Sequence, residues 1–221
     1  YANKGKHIIT SSIEHHAVLH ACEQLEKEGY EITYLPVDKT GLVSLPELLH
    51  AIRKDTILIS IMSVNNEVGT IQNIKAIAKI AHDYNILFHT DAVQAIGHIK
   101  MDVRDMEIDL MSMSSHKIHG PKGVGALYVK NGVRIEPITF GGNSQERGKR
   151  AGTENVPGIA GFGKAMEIAT RNYIINNKKL KNIREYFLEK LSEKARAVIL
   201  YGSGEDKFLF RYEGGSYTAA F

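Results

Sequence analysis

The sequence predicts an α/β fold, a mainly parallel sheet with helices on both faces, and three observations predict it. The run from Thr56 to Met62 is the most apolar of the strand-like segments and that from Ile86 to Phe88 is short and continuously apolar, as in strands covered on both sides. Between them Ile74, Ile77, Ala78 and Ala81 recur at helical spacing, so strand and helix alternate as in βαβ units. Polar residues able to do chemistry then follow each run, Asn65-Asn66-Glu67 after the first and Asp91 after the second. Open α/β sheets bind ligands at the carboxyl ends of their strands.

Composition narrows the class. The 221 residues are enough for one good core or two small ones, and 43% hydrophobic with 24% charged residues is ordinary for a globular protein. A net charge of +3 without a basic stripe argues against nucleic acid, and Lys178-Lys179-Leu180-Lys181 reads as a solvated helix face. A single cysteine, Cys22, excludes an internal disulfide and points to a reducing, cytoplasmic setting. No apolar run reaches the roughly 18 residues of a membrane span, and no signal peptide opens the chain. No metal site is expected. The chain begins at Tyr1 in mid-pattern, so a fragment is expected.

In order, His7-Ile8-Ile9-Thr10 is a strand, Ser11-Ser12 the expected N-cap, and Ala17, Val18, Ala21, Cys22 and Leu25 the stripe of the helix that follows. His15 falls at the junction. Its ring could lie over a ligand ring by offset stacking, or simply start the helix beside His16. Cys22, among apolar neighbours, reads as a small hydrophobe rather than a nucleophile. Glu31 to Leu35 alternates as a strand, Asp38 to Gly41 turns, and Ser44-Leu45-Pro46 opens a helix to about Arg53. Asn66, after the most apolar strand, offers an amide to a carboxylate or ring oxygen, although asparagine also favours turns.

The densest chemistry lies in residues 86–123. Asp91 could stay ionised against a buried cationic ring, or could cap the next helix. Asp109 to Met113 reads as another strand, and Lys117 follows it in a loop of small polar residues. A lysine that forms a Schiff base needs its amine beside an electrophilic carbonyl and partly desolvated; a solvated lysine is the alternative. Ser114, Ser115 and His116 supply donors suited to a phosphate, and His119-Gly120-Pro121-Lys122-Gly123 tightens the loop. A carboxylate, an amine and phosphate donors together suggest a pyridoxal 5'-phosphate site.

Downstream, Val124 to Val129 and Ile135 to Ile138 read as closing strands. The polar loop from Gly141 to Asn155 carries Arg147, Lys149 and Arg150, suited to a phosphate or carboxylate. A long helical stretch runs from about Val156 through Lys194, with Ile159, Phe162, Ala165, Met166 and Ala169 on one face.

These residues carry a resemblance. Ser12-Ile13-Glu14-His15-His16-Ala17-Val18, Val64-Asn65-Asn66-Glu67-Val68-Gly69, His89-Thr90-Asp91-Ala92-Val93-Gln94, Ser114-Ser115-His116-Lys117 before Gly120-Pro121-Lys122-Gly123, and Gln145 to Asn155 resemble the cysteine desulfurases of the NifS/IscS type, which are class V aminotransferase-like enzymes. Motifs in that family's order, from about residue 7 to about residue 170, are far more specific than any one of them.

The resemblance implies the large domain of a type I pyridoxal-phosphate-dependent transferase, incomplete here: residues 1–160 as the cofactor-binding domain lacking its N-terminal part, 161–201 as linking helices and the start of a small domain, and 202–221 as an unassigned tail. It implies removal of sulfur from L-cysteine to give alanine and an enzyme persulfide, serving iron-sulfur cluster assembly or other sulfur transfer. Lys117 and His15 would be catalytic. Lys117, Asp91, Gln94, Asn66, Ser114, His116, His15 and Thr153 would contact the cofactor, His15 by stacking, Gln94 at the phenolic oxygen, Ser114 and His116 at the phosphate. Thr153 would reach the phosphate in a partner subunit, which implies a homodimer, and a sulfur-acceptor or cluster-scaffold protein would take the product. Ser115 stands where that family often has glycine. The persulfide cysteine falls outside these residues, so the isolated fragment is expected to be inactive. The alternatives are a selenocysteine lyase or another lyase of the same fold and cofactor, or a non-catalytic binding module.

Overall fold

The computed structural model describes residues 1–142, 144–193 and 195, and the backbone of 207–212 and 215–220. The chain divides into two units, Tyr1–Tyr173 and Ile174–Phe221.

The first unit holds six strands, β1 (His7–Ser11), β2 (Glu31–Leu35), β3 (Thr56–Ser60), β4 (Leu87–Asp91), β5 (Leu110–Ser114) and β6 (Gly125–Val129), with α1 (His16–Lys27), α2 (Leu45–Ala51) and α3 (Ile74–Asp83) between them. Their order across the sheet is β2-β1-β3-β4-β5-β6. All neighbours are parallel except β5 and β6, where Leu110 faces Val129 and Ser114 faces Gly125. Only residues 115–124 join those two strands, too few for the helical crossover a parallel pair requires. The winding reverses between β1 and β3. Right-handed crossovers then carry α1 to one face and α3 to the other, and β1 and β3 become the switch point where such sheets leave a crevice.

Burial follows the sequence pattern. Every residue of β1 is buried, and Ile9, Ile59, Ile61, Phe88, Ile108 and Met111 meet Ile77, Ala78 and Ala81 of α3 in one core. A fully buried side chain of this size stabilises by about 1.5–3 kcal/mol. The amino edge of the sheet is pinned by polar groups. His7 bridges the hydroxyls of Thr56 at 2.7 Å and Thr33 at 2.8 Å, and burial, more than nearby Arg53, holds its pKa below the usual histidine value. Asp109 accepts from His82 Nε2 at 2.7 Å, Phe88 N–H at 3.0 Å and Lys130 Nζ at 2.9 Å. Burial pushes its carboxyl up, but these donors outweigh it and the pKa lies below the ordinary value.

Three expectations change. The first helix starts at His16 and is capped by His15, not by Ser11-Ser12, because β1 consumes Ser11 and Ser12 N–H bonds Leu35 O at 2.9 Å. The segment from Ile135 to Ile138 forms no strand. Lys130 to Val133 turns back through a Val133 N–H bond to Lys130 O, Gly132 takes φ +93°, and Pro137 lacks a donor for a ladder. The helical stretch expected to run through Lys194 is broken at Leu191 and Ser192, so that α4 spans Val156–Lys190, and Lys194 itself lies outside the described residues.

α4 (Val156–Lys190) crosses from the first unit into the second. Its first turns press on the loop beyond Lys117. A Cβ on Gly158 would lie 2.5 Å from Val124 Cγ2, and one on Gly161 would lie 2.7 Å from Pro121 Cγ, so both positions need glycine for close approach. The second unit contains the rest of α4 and two antiparallel strands, β7 (Lys207–Tyr212) and β8 (Gly215–Ala220), within the stretch that sequence left unassigned. Asn143, Lys194 and residues 196–206 lie outside the described residues. Among the described residues no helix is long and apolar enough to cross a membrane.

Candidate active site

The predicted site residues, apart from Thr153, come from four neighbouring loops at one edge of the sheet. β1, β3, β4 and β5 run parallel, so their carboxyl ends carry, in turn, His15, Asn66, Asp91 with Gln94, and Ser114 with His116 and Lys117.

Asp91 ends β4 and is only 8% exposed. Its Oδ1 accepts from Val93 N–H at 2.9 Å. No α-helix follows, so the carboxylate caps a turn, not a helix. Among the described residues no cationic side chain pairs with it. A buried carboxylate without a cation is costly, and a protonated ring nitrogen is a group that would complete it. On this test the residues present fit a pyridinium. Gln94 is half-buried in the same turn.

Lys117 lies in a short 3₁₀ turn, Ser115–Ile118, directly after β5. It is exposed and free of ion pairs among the described residues, so this chain does not itself supply the expected desolvation. The turn closes at His119 with φ 65°. Ser114 Oγ and His116 Nδ1 are 2.7 Å apart, one hydroxyl and one ring beside the amine. Ser115 avoids positive φ, so the backbone tolerates it in place of glycine, yet its buried Oγ has no partner among the described residues. A Cβ on Gly120 would fall 2.2 Å from that Oγ, which fixes glycine there.

Two asparagines divide the labour after β3. Asn65 is buried and does the turn chemistry, its Oδ1 accepting from Glu67 N–H and Val68 N–H, both at 2.9 Å. Its Nδ2 reaches back to Ile13 O at 2.8 Å. Asn66 is left exposed, bonded among the described residues only to Glu67 Oε1 at 2.7 Å. His15 is also exposed; its Nδ1 accepts from Ala17 N–H at 3.1 Å, which leaves Nε2 to carry the proton of the neutral ring.

Thr153 stands apart. Its carbonyl accepts from Arg150 Nη1 at 3.2 Å, and it bonds none of the strand-end residues. Glu146 and Arg147, earlier in that loop, hold φ of 44° and 56°. A cavity of about 640 Å³ lies at the opposite, amino edge, lined by Lys4, Lys54, His82, Asp109 and Lys130 among others, and contains none of the predicted residues.

Two residues escaped sequence reasoning. Glu14 is 5% exposed; its Oε1 accepts from Ser11 Oγ at 2.6 Å and Met62 N–H at 2.8 Å, while its Oε2 is buried without a partner among the described residues. Burial first, with Asp91 adding, pushes its pKa up to about 7. His89 bridges Ser60 Oγ and Ser112 Oγ at 2.8 Å each, and burial pushes its pKa down to about 4. Alternation along a strand puts His89 on the face of Asp91, a signal the sequence did contain.

Carboxylate, amine, imidazoles and amide gathered at the carboxyl edge of a doubly wound sheet make an α/β domain whose candidate site lies at the strand ends, where such sheets bind ligands. The chain belongs to the class V aminotransferase family, whose model, Aminotransferase class-V, matches residues 2–207. It is 61% identical over 189 residues to a cysteine desulfurase IscS of Methanosarcina thermophila, covering 86% of this chain and 46% of that one. A NifS-like protein superposes with a TM-score of 0.82 at 45% identity, over 84% of this chain and 51% of the other. The structure described as SspA in complex with cysteine gives 0.71 at 47% identity, over 74% and 47%. The chain spans about half the length of the relatives it matches.

Proposed function

We propose that this chain supplies the cofactor-binding core of a pyridoxal-phosphate-dependent cysteine desulfurase. One observation carries the reading: a buried carboxylate without a cation, Asp91, lies at the same sheet edge as an exposed, unpaired lysine, Lys117. Kinship with desulfurases and with a neighbour solved with cysteine supports L-cysteine as substrate.

In this reading Asp91 holds the ring nitrogen protonated, Lys117 carries the cofactor through its amine and moves protons, and Ser114 and His116 hold the phosphate. His15 covers the ring, Gln94 donates to its phenolic oxygen, and Asn66 offers an amide at the rim. When bound, the cofactor supplies an electron sink for the substrate carbon. A homodimer, with Thr153 serving the partner's phosphate, is supported by Ile138 and Phe140, apolar side chains 93% and 87% exposed beside that loop. A sulfur-acceptor or cluster-scaffold protein would receive the sulfur, and the reading assigns the protein to the cytoplasm.

The test is a titration with pyridoxal phosphate followed by visible absorption, then addition of L-cysteine. Binding that Asp91→Ala weakens, and a spectrum that L-cysteine changes, are expected. Equal binding by Asp91→Ala would refute the ring assignment, and indifference to L-cysteine the substrate.

A further inference from the structure

We propose that Glu14 is a positioning residue for His15, acting by tying the β1–α1 turn to the carboxyl end of β3. The proposal rests on reading the switch-point crevice as a pyridoxal-phosphate site with His15 against the ring. Glu14 immediately precedes His15 and is almost fully buried. One oxygen, Oε1, gathers both the Ser11 hydroxyl and the backbone N–H of Met62, 48 positions away in sequence. A residue earlier, Ile13 O is held by Asn65 Nδ2. The turn that bears His15 is thereby gripped at two successive residues by the loop that bears Asn66.

His15 needs such a grip. Its ring is exposed, is held among the described residues by the Ala17 N–H and meets the His16 ring at 6.2 Å between centroids, so its direction follows the backbone of the turn that carries it. The residue before an N-cap is ordinarily apolar, packing against the first turn. A buried carboxyl there costs desolvation, the more so with Oε2 unpartnered. Tying the two loops at the crevice is what that carboxyl accomplishes in return.

The test compares Glu14→Met, Glu14→Gln, His15→Ala and the double variant Glu14→Met/His15→Ala. Each is checked for fold by far-ultraviolet circular dichroism and melting. Two signals are read: the His15 ring nitrogen resonances in ligand-free protein, and the induced circular dichroism of bound pyridoxal phosphate per mole of label on Lys117. Glu14→Met is expected to move the His15 resonances toward those of an unrestrained histidine and to lower the induced signal to that of His15→Ala. The double variant should lose no more. Glu14→Gln keeps an acceptor for Ser11 and Met62 and should retain both signals. The proposal is overturned if Glu14→Met leaves the His15 resonances unchanged, if the two losses add, or if a folded Glu14→Gln behaves like Glu14→Met. Should Glu14→Met not fold, Ser11→Ala, which removes one donor to the same oxygen, is expected to lose part of each signal and overturns the proposal if it loses none. Absence of label on Lys117 in the parent protein would refute the functional reading, and the ligand-free His15 resonances would still decide the role of Glu14.

Discussion

Glu14 also makes a thermodynamic prediction that needs no cofactor. Its carboxyl titrates at about 7 in the folded chain against an ordinary value of 4.5. Between those values the native state holds a proton that the unfolded chain has released, so stability is full below about pH 4.5 and is lost as pH rises through 7. The gap corresponds to about 3 kcal/mol at about 1.4 kcal/mol per tenfold change. Protonation need not break the tie, because Oε1 can go on accepting while Oε2 carries the proton. Glu14→Gln cannot ionise, so the difference in unfolding free energy between variant and parent should swing by about 3 kcal/mol in favour of the variant from pH 4.5 to pH 8. Urea unfolding of both proteins across that range measures it, since other titrating groups cancel in the difference. A difference that stays flat with pH would refute the claim that this carboxyl is buried and poorly solvated.

Other perturbations follow from the same contacts. Asp109→Ala leaves the buried Phe88 N–H without its acceptor and should cost about 3 kcal/mol in denaturant unfolding; because the Asp109 pKa is lowered, its contribution in the parent should persist above pH 4 and fade as pH falls below the ordinary 3.8. Gly120→Ala forces a Cβ to within 2.2 Å of Ser115 Oγ and should destabilise by about 1–3 kcal/mol, a loss that Ser115→Gly partly restores in a double-variant cycle. Ser115→Ala removes a buried hydroxyl with no partner and should leave thermal stability equal or raised, by up to about 1 kcal/mol. Lys117→Ala removes an exposed side chain, so melting should move by less than about 0.5 kcal/mol equivalent while covalent cofactor labelling disappears.

What the sequence revealed, and what it hid, divides along physical lines. The central strands were legible because a sheet covered on both faces demands continuous apolar runs, and Ile57-Leu58-Ile59 and Ile86-Leu87-Phe88 supply them locally. The gathering of the candidate residues at one edge was legible for the same reason, since parallel strands bring all their carboxyl ends to one side. Contacts made across long sequence separations were not. Glu14 looks like one more polar residue at a helix start, and only Met62 N–H, 48 positions on, makes it a buried tie. The pair Asn65-Asn66 gives no hint of which faces inward; the Ile13 carbonyl decides it. The segment from Ile135 to Ile138 has two β-branched residues but no partner strand among the described residues, and Pro137 cannot donate to a ladder, so local propensity did not make a strand. His15 was correctly set at the strand–helix junction, but the cap moved onto its own ring because β1 extends through Ser11.

The most direct test of the central claim is chemical. The protein is mixed with pyridoxal phosphate, reduced with borohydride, and the modified peptide mapped by mass spectrometry, with circular dichroism confirming that the chain is folded. Label confined to Lys117 is the predicted result. Label scattered over the exposed lysines of a folded chain would contradict it and favour a non-catalytic binding role.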